Sequence, residues 1–210
     1  MRYRGPLGLG LLAVATAALT AGCGGYAYRS VVANVPVSGS GQVGIATHDQ
    51  RSYVVSGRKT PDFVGIIRGG FGNPYDLATD DGRPLADGMT AAIANSLKPK
   101  GFRPVPVSVA PSDSPAQAQD KAVKAGGART VLLTLREWRS DAMYRTGMDY
   151  DVTLSVLDGG GAVLAEKRLQ GSDNLGGASG ARDAAIQAFR TKLETLLGDP
   201  AVAEALAGAR

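Results

Sequence analysis

Short apolar stretches, most of them alternating with polar residues, recur along the chain with the period of two that is typical of β-strands. Other stretches repeat apolar residues every three or four positions, as amphipathic helices do. The predicted strands are 42–48, 62–68, 102–109, 130–138, 150–158 and 162–170, and the predicted helices are 84–98, 114–125 and 182–197. This order predicts an α/β to α+β fold, in which a mixed β-sheet has about three helices packed on it.

The clearest pattern lies in the C-terminal half. Val131, Leu132, Leu133 and Leu135 form a near-continuous apolar run, as expected of a strand buried on both faces. Two alternating stretches then flank three consecutive glycines, 159–161, and this arrangement predicts a hairpin. We therefore expect the last three strands to form an antiparallel meander that leads into the C-terminal helix.

Residues 69–82 predict a long surface loop between the second strand and the first helix, with turn signals at Asn73-Pro74 and Asp81-Gly82. A loop of this length without secondary structure of its own usually has a function. Exposed aromatic residues in loops often mark partner surfaces. The predicted partner-binding set, which includes one residue from a later segment, is Phe71, Asn73, Tyr75, Asp76 and Tyr144. The alternative is that the loop packs onto the sheet.

The N-terminus carries the strongest functional signal. Arg2 and Arg4 precede the uncharged stretch 5–21, and small residues follow, which is the order of a secretory signal peptide. Thr20-Ala21-Gly22-Cys23 resembles the lipobox of bacterial lipoproteins, with Thr20 where that motif prefers Leu. The resemblance implies cleavage before Cys23 and attachment of acyl chains to it. The alternative is an ordinary signal peptide with an incidental Cys.

These signals divide the chain into three parts. Residues 1–22 are predicted to be a lipoprotein signal peptide. Residues 23–41 are predicted to be the lipidated N-terminus and a flexible tether, because Ser38-Gly39-Ser40-Gly41 is typical of a spacer. Residues 42–210 are predicted to form a single α/β domain. No Asp follows Cys23, so the resemblance implies the periplasmic face of the outer membrane where a cell has two membranes.

Composition excludes several classes of site. With one Cys and one His in 210 residues, the chain has no intramolecular disulfide and no Cys-based zinc site, and it offers a single His for catalysis. Removal of Arg2 and Arg4 leaves 21 basic against 19 acidic residues, so the net charge falls from +4 to +2. Basic residues do not cluster, which argues against nucleic-acid binding. We expect no metal and no cofactor.

A few polar groups still merit a chemical hypothesis. His48 beside Asp49 has the order of a general base and an orienting carboxylate, and the glycines within 65–72 resemble a phosphate cradle. Asp76, Asp80 and Asp81 are candidate cation ligands in one loop, and Asp149 and Asp151 are a candidate carboxylate pair on one strand face. The ordinary interpretations are a polar strand end, a flexible loop and solvated surface charges, and we favour them.

Three segments carry a family resemblance: Asn73-Pro74-Tyr75-Asp76 through Gly82-Arg83-Pro84-Leu85-Ala86, Lys100-Gly101-Phe102, and Val156-Leu157-Asp158 with Val163-Leu164-Ala165. Over about 43–197 the chain resembles the YajG-type bacterial lipoproteins, which in turn are similar to the α/β domains of secretion-pore and assembly lipoproteins such as CsgG. The resemblance implies a periplasmic lipoprotein domain, and it brings no catalytic residues with it.

Together these patterns predict a lipid-anchored, non-enzymatic cell-envelope lipoprotein. Its expected partners are the membrane, through acylated Cys23, and a protein partner or further copies of itself. Two alternatives remain open: an accessory subunit of an envelope transport or secretion assembly, and a carboxylate-based envelope hydrolase.

Replacing the predicted lipid attachment site gives the first test. Cys23→Ala should release the protein from membranes, because stable anchoring needs the acyl chains, each of whose buried CH₂ groups contributes about 0.8 kcal/mol. Fractionation into membrane and aqueous fractions measures the change. Unchanged membrane association of a variant that intact-mass measurement shows to have lost residues 1–22 would refute the lipoprotein hypothesis.

Overall fold

Seven strands and five α-helices form the part of the chain that the structure, a computed structural model, describes, residues 25–208. In chain order they are β1 (Gln42–Asp49), α1 (Ser52–Val55), β2 (Phe63–Arg68), β3 (Pro74–Ala78), α2 (Leu85–Leu97), β4 (Arg103–Val107), α3 (Pro115–Gly126), β5 (Arg129–Ala142), β6 (Arg145–Asp158), β7 (Val163–Gly177), α4 (Ala181–Leu197) and α5 (Pro200–Ala207). Short 3₁₀ turns lie at Tyr28–Ser30 and Lys98–Lys100.

All seven strands belong to one mixed sheet organised around β5. One edge of β5 pairs with β1 and then, farther along, with β2, both in parallel. The other edge pairs with β6 in the antiparallel sense. The sheet is completed by β4 beside β1, β3 beside β2, and β7 beside β6. The predicted mixed α/β sheet with about three helices packed on it and its C-terminal antiparallel meander are confirmed, and α1 and α5 are two further short helices.

The two faces of the sheet are covered unequally. On one face, α2, α4 and α5 enclose the main core, which contains Trp138, Phe189 and Met89. On the other face, α3 covers a small cluster around Ala46, Ala118 and Leu132. The rest of that second face carries polar side chains that reach solvent, and we call it the open face. Among residues 25–208, no helix is both long and apolar enough to cross a membrane.

Residues 26–37, which include the 3₁₀ turn at Tyr28–Ser30, form a segment that we call the N-terminal strap. Its side chains alternate between buried and exposed, and Val31, Ala33, Val35 and Val37 are the buried ones. The Ala33 N–H donates to Ser96 Oγ of α2 at 2.9 Å, and the Asn34 N–H donates to Glu194 Oε1 of α4 at 3.0 Å. The prediction of a flexible tether over 23–41 is therefore wrong for its described part, because the strap fills the groove between two helices.

Tyrosine side chains fix the start of the strap. The hydroxyl of Tyr28 accepts a hydrogen bond from Trp138 Nε1 at 3.0 Å, and its ring packs edge-on against Trp138 and Phe189. Burial raises the pKa of Tyr28. The Tyr26 N–H donates to the Ala78 carbonyl at 3.2 Å, and the Asp80 N–H donates to the Tyr26 carbonyl at 3.3 Å. The strap is thus joined to the end of the edge strand β3.

The predicted loop 69–82 is also corrected, because it contains β3. This strand pairs with β2 in the antiparallel sense, from Arg68↔Pro74 to Phe63↔Ala78. The hairpin closes at its tip through a hydrogen bond from Gly69 N–H to the Asn73 carbonyl at 2.9 Å. Pro74 stands at the first position of an edge strand, where its missing N–H costs no ladder hydrogen bond. Deleting 69–82 would therefore remove part of the sheet, and Tyr26 of the strap would lose its backbone hydrogen bonds with Ala78 and Asp80.

A buried ion pair fills the break between β1 and β2. The Asp49 and Arg51 side chains are fully buried, and the guanidinium binds the carboxylate through two hydrogen bonds, at 2.7 and 2.9 Å. Arg51 also donates to the carbonyl oxygens of Phe63 at 2.6 Å, Pro61 at 3.3 Å and Trp138 at 3.4 Å. A single side chain thus satisfies carbonyl groups of β2, β5 and the connecting loop.

Removing one partner of this pair should destabilise the fold strongly. Arg51→Met leaves the Asp49 carboxylate buried and unpaired, and the expected loss in free energy of unfolding is about 3–5 kcal/mol. Urea denaturation measures it. Arg58→Met is the matched control, because Arg58 is exposed and its Nε donates only to Ser56 Oγ, so we expect a change within about 0.5 kcal/mol. Equal losses in the two variants would contradict a stabilising role for the pair.

Candidate functional site

Two hairpins place three of the predicted partner residues at the same end of the sheet. Because β2 runs parallel to β5, with Ile67 beside Ala142, the β2–β3 tip and the β5–β6 tip emerge together. Phe71 is 99% exposed at the first tip and Tyr144 is 79% exposed at the second. Tyr75, which pairs across the hairpin with Ile67, is 59% exposed. We call Ile67, Phe71, Tyr75 and Tyr144 the aromatic edge.

The other two predicted residues have different environments. Asn73 shapes the tip, since its carbonyl accepts the hydrogen bond that closes the hairpin. Asp76 neighbours Tyr75 along β3 and therefore points to the opposite side of the sheet. Its carboxylate accepts hydrogen bonds from Lys59 Nζ at 2.5 and 2.6 Å. Asp76 thus belongs to the open face, not to the aromatic edge.

A cleft crosses the open face beside α1. It consists of two hollows of about 600 and 560 Å³, and Ser52 lines both of them. A β-bulge in β5 between Leu135 and Glu137 changes the alternation of the strand, so that Arg136 lines one hollow and Glu137 lines the other. Bulges commonly redirect side chains in this way beside functional sites. The cleft is therefore polar, with charges of both signs along its floor.

Ion pairs occupy most of the charged groups on the open face. Arg68 binds Asp141 at 2.6 and 2.8 Å, and Arg168 binds Asp151 at 2.7 and 2.8 Å. Asp149 accepts hydrogen bonds from Ser172 Oγ at 2.6 Å and from Arg139 at 3.0 Å. These hydrogen bonds lower the pKa of all three carboxyls. Asp149 and Asp151 therefore belong to two separate ion pairs, with Arg139 and Arg168. The hypothesis that they form a carboxylate pair is wrong.

Tyr53, on α1, and Glu137, on β5, are hydrogen-bonded to each other in the cleft. The Tyr53 hydroxyl donates to Glu137 Oε1 at 2.6 Å, and the backbone N–H of Trp138 donates to the same oxygen at 3.0 Å. Burial raises the pKa of Tyr53. Sequence reasoning missed Tyr53, Arg136 and Glu137. A bulge carries no local sequence signal here, and their proximity depends on pairing between distant segments.

The hypothesis that Asp49 orients His48 is also wrong. Neighbouring residues on a strand point to opposite faces, and Asp49 is bound to Arg51. His48 Nε2 instead lies 3.0 Å from the Asp113 carbonyl oxygen and 2.7 Å from the Gln50 side-chain nitrogen. Burial lowers the pKa of His48, against smaller opposing effects of Asp113. The imidazole is therefore a polar contact at one end of the cleft.

The loop aspartates do not form a cation site. Asp76 binds Lys59, and Asp81 binds Arg29 at 3.0 Å and Arg83 at 3.6 Å. In the part of the chain from 25 to 208, the structure groups no three His, Cys, Asp or Glu side chains in a way that could hold a metal ion. The glycines within 65–72 lead into a hairpin, not into a helix N-terminus. Cys23 lies outside the described residues.

Comparison with known proteins shows a shared fold. No family model matches the sequence, and no curated protein matches it. Among solved structures, protein XCC0632 from Xanthomonas campestris, of the family DUF330, is similar over 83% of this chain and 92% of its own, with 13% identity and a TM-score of 0.52. A second structure, of an uncharacterized protein, covers 79% of this chain and 95% of its own, with 7% identity and a TM-score of 0.40. At such identity the first likeness extends to the fold alone.

The buried imidazole predicts a pH effect on stability. The native state disfavours charged His48, so below the usual pKa of about 6.5 the unfolded chain binds more protons than the native one. The free energy of unfolding should therefore fall as the pH drops through that value towards the lowered native pKa. His48→Gln should show a smaller loss between pH 7 and pH 5, measured by urea denaturation at both pH values. An identical loss in the variant and the parent protein would contradict this assignment.

Proposed function

We propose that this protein is a lipid-anchored, non-enzymatic lipoprotein of the cell envelope that docks a protein partner at its aromatic edge. The lipobox-like segment ending at Cys23 supports the anchor. In a two-membrane cell, the absence of Asp after Cys23 favours the periplasmic face of the outer membrane. The single observation that carries the docking role is the exposure of Phe71 and Tyr144 on neighbouring hairpin tips.

Aromatic side chains in this position suit recognition of a protein. They bury a large area on contact, and aromatic residues are enriched at the centres of protein interfaces. Phe71 stands between Gly70 and Gly72, so neighbouring side chains do not shield its ring. On the open face, at the end of β2 beside the same hairpin tip, Arg68 and Asp141 form an ion pair that would remain at the polar rim of an interface.

The character of the cleft supports a non-enzymatic role. A carboxyl that acts as a general acid needs a raised pKa, as glycosidases illustrate. The open-face carboxyls Asp141, Asp149 and Asp151 instead have lowered pKa values and arginine partners. Within residues 25–208, the His48 ring is hydrogen-bonded to the Asp113 carbonyl and the Gln50 side chain but to no carboxylate. These features favour a scaffold over a carboxylate-based hydrolase.

Substitutions at the two tips test the docking role. Phe71→Ser combined with Tyr144→Ser should leave the fold intact, because both side chains are exposed, while recovery of the co-purifying partner should fall about tenfold or more, as expected when interface aromatics are lost. The measurement is quantitative pull-down from detergent-solubilised envelopes, with thermal unfolding as the check on folding.

The matched control is Val163→Ser with Leu164→Ser, which removes two exposed apolar side chains at the start of β7. This variant should recover the partner at the parental level. If the tip variant folds and retains its partner, the aromatic edge is not the docking surface. Native mass measurement of the same sample distinguishes a heterologous partner from an assembly of copies of this chain.

A further inference from the structure

The point at which the chain enters its folded part is fixed tightly. Gly25 packs against the backbone of Asp80, where a Cβ atom would collide with the Asp80 Cα, so a glycine is required. Tyr26 then pairs with Thr79 through the two backbone hydrogen bonds described above, and its side chain is buried. The chain therefore enters its folded part at the end of β3.

Covalent geometry limits how far Cys23 can lie from this point. Consecutive Cα atoms are about 3.8 Å apart, so a two-residue connection from Gly25 back to the predicted lipid attachment site can span no more than about 7–8 Å. An 18-residue glycine- and serine-rich tether would instead have a root-mean-square span of about 23 Å. The strap removes that slack, since the packed part of the chain begins two residues after the predicted lipid attachment site.

The surface around Gly25 is compatible with a bilayer. Within residues 25–29 and 79–83 the charged side chains are Arg29, Asp80, Asp81 and Arg83, two of each sign, and Asp81 forms ion pairs with both arginines. These two segments therefore carry no net charge that would oppose approach to an anionic lipid surface. We call residues 25–29 together with 79–83 the anchor side.

We propose that the anchor side lies directly against the lipid bilayer, so that the domain has a fixed orientation on the membrane. The inference rests on the proposed acylation of Cys23. It goes further by assigning a membrane-facing surface, and it replaces the expectation of a flexible tether over 23–41.

Spin labelling of the full-length acylated protein in vesicles tests this orientation. Asp80→Cys places a nitroxide on the anchor side, where the Asp80 side chain is exposed. Lys124→Cys places a nitroxide on α3, next to the first residue of β1, Gln42. The strand β1 is about 23 Å long. With a Ni²⁺-chelating lipid in the vesicles, we expect at least threefold greater collisional relaxation at 80 than at 124. Equal relaxation at the two positions in acylated protein would overturn the proposal.

A spacer variant isolates the contribution of the short connection. Twelve Gly and Ser residues inserted between Gly24 and Gly25 keep the strap and the anchor but separate them by about 19 Å. Relaxation at 80 should then fall to the level at 124, and unchanged relaxation would overturn the proposal. Intact-mass measurement distinguishes the two hypotheses: a protein without acyl chains refutes the proposed function and this inference together, whereas acylated protein with equal relaxation refutes the orientation alone.

Discussion

The buried pair of Asp49 and Arg51 is the constraint on which the arrangement of the sheet depends. β1 and β2 both pair with the same edge of β5, one after the other, and a break separates them. Carbonyl groups left at such a break would be buried without partners, which costs free energy. The Arg51 guanidinium provides donors to them, and Asp49 balances its charge. The free-energy cost of burying two charges is offset only when the charges are paired and their remaining polar groups are hydrogen-bonded, as they are here.

Both candidate surfaces follow from that break. Beyond it, β2 takes the place of β1 beside β5 and pairs with β3 on its other side, and this hairpin carries Phe71 and Tyr75 to the aromatic edge. The bulge in β5 lies opposite the same break and sets Arg136 and Glu137 on the floor of the cleft. The Tyr53 hydroxyl, on the short helix that follows Arg51, then binds Glu137. The polar cleft and the aromatic edge thus both lie beside the break between β1 and β2, where Arg51 binds the carbonyl groups.

The sequence predicts the elements whose patterns are local and repetitive. The apolar run from Val131 to Leu135 and the glycine hairpin at 159–161 predict the meander correctly, because alternation and turn chemistry act over neighbouring residues. The strap was missed although Val31, Ala33, Val35 and Val37 alternate, since the serine and glycine residues that follow resemble a spacer. β3 was missed because Asn73-Pro74 reads as a turn. The burial of Asp49 and Arg51 was missed because it depends on carbonyl groups from distant segments.

The position of the strap connects the proposed anchor to the proposed docking surface. Tyr26 pairs at one end of β3, and Phe71 lies beyond the other end. The strand between them, from Pro74 to Thr79, spans about 17 Å, and it is paired to β2 along its length. A flexible tether would leave the distance and direction between lipid and partner free to vary. Because the strap is joined to the paired strand β3 instead, the proposed orientation on the bilayer would fix where the aromatic edge is presented, and a partner embedded in or bound to the same membrane would meet that edge at a fixed height.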